Sequence, residues 1–315
     1  MRYLIVSRRN GFGLDRDVRI LKGALAEAGI DAAVARPRDL GLLDVLRGRS
    51  MADRIIHVER LHWRWLGAAN EHFVVPNQER FPPRKLRALR RIDHVLAKTR
   101  HAESIFSALG LSTSFIGFTS EDCQVPKITK VWSRCLHVAG RSTMKGTEDV
   151  IAAWEAHPDW PELVIVQDPS MPEPEVPNNI TLFRAYMDED ELRQLQNACG
   201  IHLCPSRSEG WGHYISEAMS CGAVVITTDA PPMNEIIDHS TGLLVPYDRC
   251  ETRHLGQCYF VDANELERRI QEVLMMGADA KVDLGQAARR KYEENDRRFR
   301  GQIRAFFAQT LDPTQ

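Results

Sequence analysis

Short apolar runs alternate along this chain with stretches of helical periodicity, and that alternation constrains its fold more than any other feature. Tyr3–Val6 is followed by Gly11 and Gly13, and then Leu14, Val18, Leu21, Leu25 and Ala28 recur at helical spacing until Gly29. Further runs at Ala32–Ala35, Ile55–Val58, Phe73–Val75, His94–Ala97 and Ser114–Ile116 are separated as successive βαβ units require, which predicts an open parallel sheet. A second series at Leu136–Val138, Leu163–Val166, Ile180–Phe183, Ile201–Cys204 and Val224–Thr227 predicts a second α/β unit. Its helices are expected at Thr147–Ala156, Glu189–Cys199 and His213–Ser220. Phe299, Ile303, Phe306 and Thr310 fall on one face of a last helix, which is expected to pack back on the first domain. A length of 315 residues suits two domains. The mixed polar stretch Gly117–Lys130 divides them, giving a short first domain at 1–125, a second at 126–295 and the closing helix at 296–315.

Hydrophobic residues at 43% and charged residues at 27% exclude a disordered, collagen-like or disulfide-stapled chain. No apolar stretch approaches the roughly 18–20 residues that cross a bilayer, and no signal-peptide core is evident, so a cytoplasmic protein is expected. Seven cysteines without CxxC spacing signal neither a zinc site nor a disulfide framework. Charge is split between the halves. Residues 1–125 carry 21 Lys/Arg against 14 Asp/Glu, a net of +7, and the rest carries 20 against 29, a net of −9. The densest basic stretch, Arg80 to Arg100, includes Arg84, Lys85, Arg87, Arg90 and Arg91 and has Asp93 as its one counter-charge. It is either a solvated helix face or a surface for an anionic partner: phosphate, nucleic acid or the inner face of a membrane, where attachment would be peripheral.

Three constellations can carry chemistry. In Asn10-Gly11-Phe12-Gly13-Leu14-Asp15-Arg16, the paired glycines either admit an anionic or sugar ligand to backbone amides or simply make a tight βα turn; Gly11 and Gly13 are candidate donor-binding residues. Arg16 stands where a dinucleotide fingerprint has its third glycine, which argues against a nicotinamide site. In Gly140-Arg141-Ser142-Thr143-Met144-Lys145-Gly146-Thr147, two cations lie in a Gly-bounded loop between strand and helix, a position that suits phosphate. In Glu209-Gly210-Trp211-Gly212-His213-Tyr214-Ile215-Ser216-Glu217, two carboxylates flank a helix N-terminus, so hydroxyl acceptors lie on either side of amide donors. A nucleotide sugar offers the matching groups. The plain alternatives are a cap for Glu209 and a solvated helix face for Glu217. Asp188-Glu189-Asp190 looks superficially like a D-x-D metal motif, but at a helix start its acids cap the helix and oppose its dipole.

The E-x7-E spacing of Glu209 and Glu217, with Gly140-Arg141 and Lys145-Gly146, the run from Glu217 to Gly222, and Glu235 followed by Thr241 to Pro246, resembles the retaining GT-B glycosyltransferases of family four, the group 1 type. The strong part covers Leu136–Pro246. In the first half, which is short for that family, the resemblance rests on the Gly-rich loop, Asp53 with His57, and Pro76-Asn77-Gln78-Glu79. It implies an α/β GT-B fold of two Rossmann-like domains facing across a cleft, the second binding the nucleotide-sugar donor and the first the acceptor. Arg141 and Lys145 would contact the diphosphate, Glu209 the sugar hydroxyls and Glu217 the ribose. The amides of Trp211, Gly212 and His213 would lie close to sugar and phosphate, and the base near Phe183-Arg184. Where the family often has His-x-His, His57-Val58-Glu59 keeps one histidine as the catalytic-contact candidate, with His62 nearby as a substitute. The implied activity is hexosyl transfer with retention, with no cofactor beyond the donor substrate and no metal. The acceptor is unidentified; apart from the resemblance, the net +7 of the first 125 residues suits either an anionic acceptor, lipid-linked, a glycan or a nucleic acid, or simply a solvated basic surface. Another GT-B-like nucleotide-sugar enzyme, an epimerase or phosphorylase, and a noncatalytic nucleotide-sugar or nucleic-acid binding protein are the alternatives.

Overall fold

A computed structural model describes the backbone from Met1 to Leu311 and side chains as far as Ala308, leaving out Asn10, Phe12 and Tyr186. Two compact units result. One comprises Met1–Ser120, Arg253–Gly256 and the chain from Glu294 on; the other comprises Glu121–Thr252 and Gln257–Glu293. The divisions fall near the expected ones after residues 125 and 295, but the return of 253–256 to the first unit has no counterpart in the sequence reading.

The first unit is built on strands β1 (Tyr3–Val6), β2 (Ala32–Ala35), β3 (Arg54–Glu59), β4 (Glu71–Pro76), β5 (His94–Ala97) and β6 (Thr113–Phe115), with helices α1 (Gly13–Glu27), α2 (Leu42–Leu46), α3 (Leu86–Leu89) and α4 (Arg100–Ala108). The sheet is parallel in the order β2-β1-β3-β4-β5-β6. The second unit has strands β7 (Val131–Gly140), β8 (Leu163–Gln167), β9 (Ile180–Phe183), β10 (Cys199–Cys204), β11 (Val224–Thr228) and β12 (Leu243–Val245), and a two-stranded ribbon of β13 (Tyr247–Arg253) and β14 (Gly256–Val261). Its helices are α5 (Thr147–Ala156), α6 (Glu189–Ala198), α7 (His213–Ser220), α8 (Met233–Ile236) and α9 (Ala263–Met275); α10 (Ala278–Leu311) starts there and ends among first-unit residues. The main sheet is again parallel, ordered β12-β11-β10-β7-β8-β9. Helices cover both faces of such sheets, so β8, β10 and β11 are buried along their whole length and are mainly apolar, with His202 inside β10 and Gln167, Thr227 and Thr228 at the ends of β8 and β11.

The last helix differs from expectation in length and register. It runs 34 residues, from well before position 296. Its buried stripe is Phe299, Ile303 and Phe307, each fully enclosed, and Phe306 is only half-buried. Phe306, seven residues after Phe299, lies at the edge of the same face, where its ring meets Phe73 and His94 with centroids 5.9 and 4.9 Å apart. Within the first unit Phe299 meets Phe118 with ring centroids 4.9 Å apart, and Phe307 meets Tyr3 and Phe73, each at 5.7 Å. The side chain of Thr310 lies outside the described residues.

Candidate active site

Ligands of open parallel sheets collect beyond the carboxyl ends of the strands, where the strand order reverses. In the second unit that reversal lies between β7 and β10, which are adjacent although far apart in sequence. The loops leaving those two strands, 141–146 and 205–212, lead into α5 and α7 and hold the expected cations and the first expected carboxylate.

Lys145 and Glu209 meet there, with Nζ 2.7 Å from Oε1 and side chains only 16% and 14% exposed. Glu209 Oε1 also accepts from Ser206 Oγ at 2.5 Å, and Ser206 Oγ lies 2.7 Å from the Tyr214 hydroxyl. The serine's single proton goes to the carboxylate, so the tyrosine donates to the serine. Burial pushes the Tyr214 phenol well above its ordinary range, which keeps that proton in place. The Lys145 ammonium rides over the Tyr214 ring, 3.3 Å from its centroid. Gly146 and Gly212 open the two helices with φ of +67° and +100°. At Gly146 a Cβ would come within 2.5 Å of the Pro205 carbonyl oxygen, so the loops touch only because nothing projects there. Neither α5 nor α7 has a side-chain cap, whereas Thr99, Asp188 and Asp262 cap α4, α6 and α9. The first-turn amides of α5 and α7 therefore belong to a region rich in donors.

Glu217 is buried on α7, and its Oε2 accepts from Gln196 Nε2 at 3.1 Å. The backbone carbonyl of Gln196 accepts from His202 Nε2 at 2.9 Å, which ties α6 to β10 at that residue. Under the cation loop, His137 Nδ1 donates to the Leu203 carbonyl at 2.8 Å, which leaves Nε2 to accept from Thr147 Oγ1 at 3.0 Å. Burial pulls the His137 imidazole down to about 4, so this link between β7, β10 and α5 is neutral. Arg207, from the same loop as Glu209, pairs with Asp149 at 2.9 Å and ties that loop to α5. Ser206, Tyr214, Gln196, His137 and Arg207 were not identified from sequence. A buried tyrosine or histidine reads there as core, and their partners lie on other elements.

Not every expected residue lies in these two loops and the helices they open. Arg141 is exposed at the start of the cation loop. Trp211 and Gly212 are buried and His213 half-buried at the start of α7. Arg184 bonds Glu173 and the carbonyls of Pro169 and Met171, and so braces the loop between β8 and β9. Asp188 forms a full capping box with Glu191, consistent with the capping reading. Among the described residues no three His, Cys, Asp or Glu side chains are grouped so as to hold a metal ion.

In the first unit, the Gly11 amide donates to Asp15 Oδ2 at 2.6 Å and Gly13 begins α1, so that amide is satisfied within its own loop. His57 is fully buried; its Nδ1 accepts from the His62 amide at 3.4 Å and its Nε2 faces His72 Nδ1 at 3.3 Å. Both of its nitrogens are thus engaged inside the protein, and His57 links β3 to β4. Lys98 leaves the basic surface too: it is buried, 3.0 Å from Asp17. Leu86 and Leu89 pack into the core, whereas Arg84, Arg87, Arg90 and Arg91 are exposed and Lys85 half-buried.

Residues 135–291 match the family model described as Glycosyl transferases group 1. A serotype-specific mannosyltransferase of Escherichia coli, WbdA, is 26% identical over 113 residues, which cover 36% of this chain and 14% of that protein. The chain thus matches about a seventh of the length of this curated relative. Two solved structures share the whole fold: sucrose-phosphate synthase from Thermosynechococcus elongatus, with a TM-score of 0.75, 17% identity and coverage of 98% of this chain and 99% of that one, and Anabaena HepE in complex with UDP-glucose, with a TM-score of 0.69, 17% identity and 99% coverage of both.

Proposed function

The chain belongs to the group 1 glycosyl transferases and has the GT-B fold, and on that premise we propose that it transfers a sugar from a nucleoside-diphosphate donor to an acceptor hydroxyl with retention of anomeric configuration. The contact between Lys145 and Glu209 at the reversal of strand order carries the reading. It brings a cation suited to phosphate and a carboxylate suited to hydroxyls side by side on the two loops, so that one ligand carrying both kinds of group can engage them together.

In transfer the bond between the anomeric carbon and the β-phosphate oxygen breaks, and negative charge grows on the departing phosphate. Lys145 and Arg141, with the first-turn amides of α5 and α7, meet that charge as it develops and so lower the barrier more than they tighten ground-state binding. Glu209 accepts from sugar hydroxyls, its carboxylate held by Ser206 and Lys145. Glu217 accepts from the ribose, with Gln196 fixing its orientation. Trp211, Gly212 and His213 supply backbone close to sugar and phosphate, and Arg184 stands on the base side. The acceptor hydroxyl attacks from the face the phosphate leaves, and the phosphate oxygen takes its proton. The cations do the work a metal would otherwise do, so the transfer runs without one. The acceptor is anionic, in keeping with the +7 of the first 125 residues.

The test is a thermal-shift screen of UDP-, GDP- and ADP-sugars, since a bound donor raises Tm by mass action. Nucleotide release from the stabilising donor is then followed with and without candidate acceptors, and the product's anomeric configuration is read by NMR. Release only with acceptor present and a retained configuration are expected. Release without acceptor, or isomerised donor, favours an epimerase or phosphorylase; no stabilisation by any donor overturns the reading.

A further inference from the structure

In the first unit, α2 is a five-residue helix with no buried residue, in the sequence Leu42-Leu43-Asp44-Val45-Leu46. Leu42, Leu43 and Leu46 lie within about a third of a turn of one another on a helix of 3.6 residues per turn, and they are 55%, 66% and 81% exposed. On the other side, Val45 packs with Leu40 and Trp65. Trp65 belongs to the Trp63–Trp65 turn that lies against α2, and its indole donates to the Pro37 carbonyl at 3.3 Å. Trp63, in the same turn, is 64% exposed with the Arg64 guanidinium 5.4 Å over its ring. Four large apolar side chains thus stand out from one small piece of surface. The segments that carry them also hold Arg36, Arg38, Arg47, Arg49 and Arg64, against Asp39 and Asp44, and Asp44 is already paired with Arg49 at 3.4 Å.

We propose that Leu42, Leu43, Leu46 and Trp63, together with the arginines of the same segments, dock the protein on the surface of an anionic lipid bilayer. Leucines seek the acyl boundary, an indole the headgroup level, and arginines the negative surface potential; no other single partner uses all three. A second copy would bring five further arginines to face the first five, and a nucleic acid would leave the leucines in water. The basic stretch around Arg84 to Arg91 is a poorer candidate, because its leucines are turned into the core.

The experiment is co-flotation of the full chain with phosphatidylcholine vesicles, with and without roughly a third phosphatidylglycerol, across NaCl from about 0.05 to 0.5 M. The wild type is expected to float with anionic vesicles and to dissociate as salt rises. Leu43→Ser/Leu46→Ser is expected to lose at least about tenfold in partitioning at every salt concentration, whereas Arg47→Ser/Arg49→Ser should bind less at low salt with a flatter salt dependence. All four positions are exposed, so unchanged melting curves will show that these variants fold. The proposal fails if the wild type floats with neither vesicle or if Leu43→Ser/Leu46→Ser floats like the wild type. It also fails if the wild type leaves lipid alone but dimerises in sedimentation through these leucines. None of these outcomes bears on donor binding, so the transferase reading stands or falls separately.

Discussion

Lys145 is held from two sides, by a carboxylate oxygen and by an aromatic face, while Glu217 is held through an amide. The two should therefore fail differently. Lys145→Ala removes a partly desolvated charge aimed at the leaving group, a loss of roughly 2–5 kcal/mol, or about thirtyfold to a few thousandfold, taken in kcat. Glu217→Ala removes hydrogen bonds to the ribose, roughly 1.5–3 kcal/mol, felt mainly in KM. Steady-state kinetics of the two variants distinguish these roles, and equal losses confined to KM would contradict the assignment. A second residue-level prediction concerns pH. Burial, then the charges of Arg8, Lys85 and Arg60, pull His62 from its ordinary 6.5 down to about 4, and burial lowers His57 and His72 as well. Such a group contributes stability that is complete above the unfolded value and is lost as pH falls through the folded one. Between pH 6.5 and 4 the unfolded chain takes up protons that the native one refuses, at about 2 kcal/mol by pH 5 for His62 alone. Urea midpoints should fall over that window and fall less steeply in His62→Gln; parallel slopes would refute the idea. Of the site residues, Lys145, Glu209 and Glu217 could be read from sequence because glycines and charges mark their loops. Tyr214 and Gln196 could not, because what distinguishes them is a partner on another element.

The central strands were legible because they are buried on both faces and therefore mainly apolar, the buried His57, His137 and His202 being paired inside the protein. Helix register was less so. Phe306 and Phe307 are identical in chemistry and both rings meet Phe73, and it is the second, packed on Tyr3 as well, that is fully enclosed. The ribbon of β13 and β14 was missed because β13 is mostly exposed and polar, without the apolar run that marks the other strands. From the observed register, Phe299→Ala and Phe307→Ala should each cost about 3–5 kcal/mol in chemical denaturation. Phe306→Ala, at a half-buried site, should cost clearly less; an equal or larger loss there would restore the register expected from sequence.

At the scale of the whole molecule, the sign change in charge near residue 125 tracks the division into units, which is why composition alone located it approximately. Among the described residues the acidic surplus of the remainder is not gathered into a cation site: Asp188 and Glu191 cap a helix, and Asp122 and Glu293 pair with Arg289 at 2.6 and 2.8 Å. Transfer is therefore expected to survive EDTA with its rate unchanged within error. Complete loss, restored by Mg²⁺ or Mn²⁺, would mean that the phosphate is held by something other than Arg141 and Lys145.

The interleaving of the two units also sets an order of events during synthesis. Phe118 is made early, yet its partner Phe299 belongs to the stretch beyond Glu294, and Leu255, which packs with Leu61 and Phe81, arrives in between. At about 5–20 residues per second the wait between Phe118 and Phe299 is roughly ten to forty seconds. Throughout it the nascent first sheet must keep one apolar face unsealed, so it emerges from the ribosome as a client for holding chaperones rather than as a finished domain.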